Sequence, residues 1–159
     1  MKCKTYATYI VVLVILITVA AVSINAGRSN DITIGWIGPM TGQSAVLGMD
    51  SAVAAQIAAD EINEAGGING KKLKIIFEDD QYDTPKALAA YEKLVNIDGT
   101  NIIIINTYGS VFALAPRAEK DGVLLIDPLD CNSDLVNTSK NVFCLATDSE
   151  SIAQVLAED

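Results

Sequence analysis

The sequence predicts a doubly wound, Rossmann-like α/β lobe built on a parallel sheet. Three observations carry this reading. Short apolar runs alternate with segments of helical periodicity along residues 31–147. The links between them are short, which favours right-handed crossovers and helices on both sides of one sheet. Residues 101–106, Asn-Ile-Ile-Ile-Ile-Asn, are apolar without alternation, the pattern of a strand covered on both faces.

Taken in order, residues 32–37 read as a buried strand. Residues 49–65 read as a helix with Ala52, Ala55, Ala59 and Ile62 on one face and Gln56, Asp60 and Asn63 on another. Its small alanines let it lie close to a sheet, and Gly66-Gly67 supply the left-handed stop. Residues 73–78 form the next strand. Thr84 is then an N-cap, with Pro85 at the first helical position, opening a helix to Asn96 that points Ala87, Tyr91, Leu94 and Val95 inward. Residues 110–120 read as a helix in which Pro116 removes a backbone donor, so a kink or a late start is expected. Residues 123–127 and 142–145 supply the fourth and fifth strands. The expected sheet order is 2-1-3-4-5.

Composition bounds the chemistry. Half of the 159 residues are apolar and 19% are charged, enough for one cored domain and too apolar for wholesale disorder. There is no His, which excludes Ser-His-Asp and Cys-His catalysis and any His-containing zinc site. Three scattered Cys lack the paired spacing of a Cys-only metal site. No enzymatic activity, cofactor or metal is therefore expected.

The first 26 residues read as a targeting element. Lys2 and Lys4 precede an uncharged stretch, residues 7–24, whose centre is purely Val, Ile and Leu. That stretch is either a secretory signal peptide or an N-terminal membrane anchor. Removing Lys2 and Lys4 leaves nine basic residues against 20 acidic, a net charge of −11. Such a surface repels phosphate backbones, so nucleic acid is not expected as a partner.

In a doubly wound lobe, ligands collect at the carboxyl ends of the strands. The first such segment, Gly38-Pro39-Met40-Thr41-Gly42, lacks the Gly-Lys-Ser/Thr ending of a phosphate loop and the dinucleotide fingerprint. The second, Asp79-Asp80 with Asp83, resembles a Mg²⁺ site only if the first strand also ends in an acid. It ends in Gly38-Pro39-Met40, so these carboxylates are expected to cap the turn before the next helix. The third, Thr107-Tyr108-Gly109-Ser110, links a buried strand to a helix and favours a carboxylate through hydroxyls and free amides. Ser110 is also placed to cap that helix. The fourth is Leu129-Asp130-Cys131. Cys131 and Cys144 are the two cysteines beyond the targeting element, and with twelve residues between them a disulfide is expected in an exported protein.

Gly38-Pro39-Met40-Thr41-Gly42 is joined by two further specific blocks. One runs Ala59-Asp60-Glu61-Ile62-Asn63-Glu64-Ala65-Gly66-Gly67-Ile68-Asn69-Gly70. The other runs Gly122-Val123-Leu124-Leu125-Ile126-Asp127-Pro128. Together the three resemble the type I periplasmic binding proteins, in the branch serving branched-chain amino-acid transporters. The resemblance runs over nearly all of residues 31–158. Members of that family are more than twice as long, with two similar lobes joined by three crossovers. The resemblance thus implies an N-terminal fragment, with residues 31–147 one ligand-binding lobe and 148–159 the start of the second.

The implied function is the extracytoplasmic solute-binding component of an ABC importer, working with a membrane permease. It would capture a small solute, an amino acid or related compound, between two lobes, in the periplasm or at the cell surface. A membrane-tethered sensor ectodomain of the same fold is the alternative. The resemblance also makes Ser44 to Leu47 one wall of the cleft, with Leu47 over the ligand. A Ser in the 107–110 loop of relatives holds the ligand α-carboxylate, and Tyr108 and Ser110 are the two alternatives for that place. After the fourth strand, relatives use backbone groups and a Thr hydroxyl. Here Cys131 stands at the Thr position, and Asp130 either pairs with a ligand ammonium or faces water.

Overall fold

The computed structural model describes residues 31–158, so the expectation for residues 1–26 lies outside it. The order of elements is β1 (Ile32–Gly38), α1 (Val46–Glu64), β2 (Leu73–Asp79), α2 (Thr84–Asn96) and β3 (Ile102–Ile105). There follow α3 (Tyr108–Asp121), β4 (Leu124–Asp127), α4 (Ser133–Asn137), β5 (Val142–Cys144) and α5 (Ser149–Glu158). The five strands form one parallel sheet in the order β2-β1-β3-β4-β5, as the alternation predicts.

One face of the sheet holds the main core. Ile37, Ile103, Ile105, Leu125 and Val142 meet Tyr91 and Leu94 of α2 and Val111 and Leu114 of α3, all essentially out of water. Each such side chain contributes about 1.5–3 kcal/mol on burial, which makes this layer the chief source of cohesion. A Cβ at Gly35 would lie 2.7 Å from Leu94 Cδ1, so the absent side chain lets α2 close on β1.

The other face is covered unevenly. Trp36 is fully buried with its ring centroid 5.7 Å from that of Phe77. On this side α1 packs chiefly on β2. Ile103 and Ile105 are sealed on the α2–α3 side, while Ile102 and Ile104 on the opposite side are only half-buried. The uninterrupted isoleucine run is thus fully covered on one face, because α1 sits toward the β2 edge.

Several boundaries differ from the sequence reading. Helix α1 starts at Val46, three residues earlier than expected, without a side-chain cap at Ala45. Backbone turns from Ser44 and Ala45 carry directly into it. Its buried face is Gly48, Ala52 and Ala59, with Ala55 half-buried and Ile62 exposed. The rotation follows from Gly48, whose missing Cβ would sit 2.1 Å from the Pro39 carbonyl oxygen. Asp83, not Thr84, caps α2 by accepting from the Lys86 amide at 3.0 Å, because Thr84 is itself the first helical residue and the cap is the extended residue before it. Helix α3 begins at Tyr108 and runs through Pro116 without a late start. Pro116 itself is exposed. Each strand is one residue off at one end, β3 at both, and the sequence reading has no counterpart of α4, whose cap is the Asn132 side chain on the Leu135 amide.

Candidate functional site

The strand order changes direction at β1, with β2 on one side and β3 on the other. Crossovers leave for opposite faces there, which opens a crevice beyond the carboxyl ends of the strands. The loop after β1 is held by Asp79 at the end of β2. Its Oδ1 accepts from the amides of Met40 (2.8 Å), Thr41 (3.3 Å) and Gln81 (3.0 Å), and its Oδ2 accepts from the Thr41 hydroxyl. Burial pushes this carboxyl up, but the Thr41 hydroxyl and these amides outweigh it and hold the group down at about 2. Asp79 is therefore a charged clamp across two strand ends, a role the sequence reading left as turn capping.

Asp80 is fully buried. It accepts from the Tyr82 amide at 2.9 Å and from the Thr107 hydroxyl at 2.5 Å. Burial raises its carboxyl above the ordinary range, with the Thr107 and Tyr82 bonds offsetting part of the rise. All three acids of this segment are thus occupied with turn and cap amides, as expected of carboxylates capping the turn before α2.

Thr107 and Ser110 face inward. Thr107 is 2% exposed and spends its hydroxyl on Asp80, which is why α3 has no side-chain cap. Ser110 is fully buried, is a helical residue rather than a cap, and lies 3.2 Å from the Thr84 hydroxyl. The crevice side of the loop falls to half-buried Tyr108 and exposed Gly109. The Ser110 amide bonds back to Thr107 O, and helix geometry leaves the amides of Tyr108 and Gly109 without a partner inside α3. Tyr108 stacks edge-on against Phe112 at 5.1 Å, and its hydroxyl accepts from Asn132 Nδ2 at 2.8 Å. That bond joins the loops after β3 and β4, and no sequence signal marked Asn132 for it.

The loop after β4 wraps Asp127. Asp127 Oδ1 accepts from the amides of Leu129 and Asp130, both at 2.9 Å, and its Oδ2 is buried without a partner among the described residues. Burial drives the Asp127 carboxyl above its usual range, against those two amides and with help from the nearby Asp130 charge. Leu129 is exposed, while Asp130 and Cys131 are half-buried. The Cα atoms of Cys131 and Cys144 are 5.3 Å apart, within disulfide reach. Cys131 O accepts from the Ser149 amide, which ties this loop to the start of α5. On the β1 side, Ser44 is half-buried and Leu47 stands out in the first turn of α1. Ser44, Tyr108 and Asp130 thus sit in loops after β1, β3 and β4, which are adjacent strands.

A family model described as "Periplasmic binding protein" matches residues 31–158, the whole described lobe. The chain belongs to the periplasmic binding protein family. Its relatives include "Leu/Ile/Val-binding protein homolog 3" of Brucella melitensis, 32% identical over 130 residues, covering 80% of this chain and 35% of that protein. Among solved structures it is similar to the branched-chain amino acid transporter substrate binding protein LivJ from Streptococcus pneumoniae, in complex with isoleucine. That likeness has a TM-score of 0.68 and 29% identity, over 75% of this chain and 34% of that one. It is also similar to a fatty acid ABC transporter substrate-binding protein from Thermomonospora curvata, with TM-score 0.65 and 28% identity over 72% and 29% of the two chains. The chain thus spans about a third of the length of these periplasmic binding proteins. The first of these is a binding protein by name and the two solved structures are transporter substrate-binding proteins by name, and none of the three names supports the sensor alternative. Among the described residues no helix is long and apolar enough to cross a membrane.

Proposed function

We propose that residues 31–147 are the N-terminal ligand-binding lobe, and 148–159 the opening of the second lobe, of a solute-binding component of an ABC importer. The family match over the whole described lobe carries this reading, and the strand-end crevice supports it. The solute is a small molecule of the amino-acid class, in keeping with the names of the relatives. The protein binds and does not catalyse. Residues 1–26 direct export, and the permease receives the loaded protein at the outer side of the membrane.

Within the crevice, the amides of Tyr108 and Gly109 at the positive pole of α3 receive the solute carboxylate. Tyr108, rather than the sealed Ser110, is the side chain at that place. Leu47 and Leu129 give apolar contacts, and Ser44, Asp130 and the Cys131 backbone give polar ones. Thr107 and Ser110 hold the loop from beneath. A two-lobed version of the protein, titrated calorimetrically against amino acids, fatty acids and aromatic acids, tests the proposal. Saturable binding of one class, weakened about tenfold by Tyr108→Ala, is expected. Absence of binding across the panel would overturn it.

A further inference from the structure

Helix α1 carries an apolar stripe on its outer side that no described residue covers. Val46, Met49, Val53 and Ile57 are each more than half exposed. Their spacing places them on one side of the helix, opposite the buried Gly48, Ala52 and Ala59. Single exposed apolar residues are ordinary, but four in register along three turns form a contiguous patch of the kind that marks an interaction surface.

The charge around the stripe identifies its occupant. Asp50 lies beside it, and Asp60, Glu61 and Glu64 crowd its last turn, while residues 31–70 contain no Lys or Arg. Three carboxylates at the carboxyl end of a helix oppose its dipole, and the last turn itself holds no basic residue to offset that local cost. Asp60 accepts only a bond from Gln56 among the described side chains. Lys72 lines a surface hollow with Asp60 and Glu64, but among the described residues no ion pair joins them. A second copy of α1 is the wrong partner. An antiparallel pair crossing at Val53 and Ile57 would set Asp50 against the acidic last turn, and a parallel pair would set each carboxylate against itself.

We infer that the outer face of α1 docks a basic amphipathic helix of another protein, one with an apolar seam flanked by Lys or Arg. The seam covers Val46, Val53 and Ile57, and the cations meet Asp50, Glu61 and Glu64. The carboxylates thereby act as a filter, favouring basic partners and rejecting self-association. Apart from Val46, which belongs to the Ser44 to Leu47 segment beside the crevice, this surface runs along the later turns of α1, so the inference stands apart from the solute-binding proposal.

The test uses the full chain and two synthetic amphipathic helices of about eighteen residues, with the same leucine seam. One carries Lys on its flanks and the other Glu, and binding is followed by fluorescence anisotropy. The Lys-flanked peptide is expected to bind saturably and the Glu-flanked peptide at least about tenfold more weakly. Raising the salt from low to molar concentration weakens the first complex, since exposed pairs are screened. Glu61→Gln with Glu64→Gln, and separately Val53→Ser with Ile57→Ser, each weaken it about tenfold while circular dichroism stays unchanged. Equal binding of both peptides, no binding of either, or full binding by the Val53/Ile57 variant would overturn the inference. So would a concentration-dependent dimer of the chain that the Val53/Ile57 variant abolishes, since the stripe would then belong to a second copy.

Discussion

Asp79 and Asp80 at the end of β2 and Asp127 at the end of β4 are perturbed in opposite directions, the first down and the other two up. Asp79 is partly exposed and hydrogen-bonded on both oxygens, so its charged form is favoured and its carboxyl sits at about 2. Against an unfolded value of about 3.9, that stabilisation is present above pH 4 and is lost as the pH falls through about 2. Asp79→Asn is expected to cost about 1 kcal/mol at neutral pH, after discounting for solvent, and to leave a flatter acid limb. Urea unfolding between pH 2 and 7 checks this, and parallel curves for the two proteins would count against the clamp. Asp127 carries the opposite sign: burial disfavours its charge, so its cost is present at neutral pH and is relieved on acidification. In the proposed function Asp130 beside it meets the charge of the solute. In a two-lobed version, Asp130→Asn is expected to weaken cationic or zwitterionic solutes about tenfold and spare uncharged ones. No change for any solute, by calorimetry, would make Asp130 an ordinary surface carboxylate.

At the scale of elements, the first turn of α1 is set by one close approach. A Cβ at Gly48 would meet the Pro39 carbonyl at 2.1 Å, and backbone there cannot swing away. Gly48→Ala gains up to about 1 kcal/mol of helix propensity and loses about 1–3 kcal/mol to overpacking, so destabilisation wins. Gly109 is the control: its Cβ would meet nothing within 4 Å, and Gly109→Ala is expected to be neutral or stabilising. Thermal melts check this: Gly48→Ala should melt lower than the parent and Gly109→Ala no lower. The β4–α4 loop is the other element under a constraint. If Cys131 and Cys144 are joined, thiol titration of the unfolded, unreduced exported protein finds neither free. Reduction should then cost about 2–3 kcal/mol for a loop of this length. Two titrating thiols would reject the staple.

The described lobe presents the loops after β1, β3 and β4 along one edge of its sheet. In the proposed site Tyr108, Leu129 and Asp130 approach the solute from one lobe only, so a solute held there keeps much of its surface in water. Polar contacts made in water retain little net value, and burial between two lobes restores it. The chain by itself is therefore expected to bind its solute at least about a hundredfold more weakly than a two-lobed version. Calorimetry on both, with the same amino acid, measures the ratio, and equal affinities would remove the two-lobe mechanism.

Fold class and strand order were legible in the sequence because they rest on local periodicity and on the handedness of crossovers, both written into consecutive residues. The Gly-Pro-Met-Thr-Gly and Gly-Gly-Ile-Asn-Gly blocks carried the family for the same reason. The loops of the candidate site were legible too, since a parallel sheet puts them at one edge whatever their composition. Which side chains within those loops turn outward was not. Thr107 and Ser110 read as ligand hydroxyls until the fold brought Asp80 and Thr84 against them, 27 and 26 residues earlier in the chain. The Asp79 clamp on Thr41 and the bond from Asn132 to Tyr108 are likewise pairings across strands. The exposed stripe of α1 reads in sequence as an apolar helix, and only packing showed that the sheet takes the opposite side. Periodicity decides that a face exists, while the neighbours that reach it first decide whether it meets core, solute or solvent.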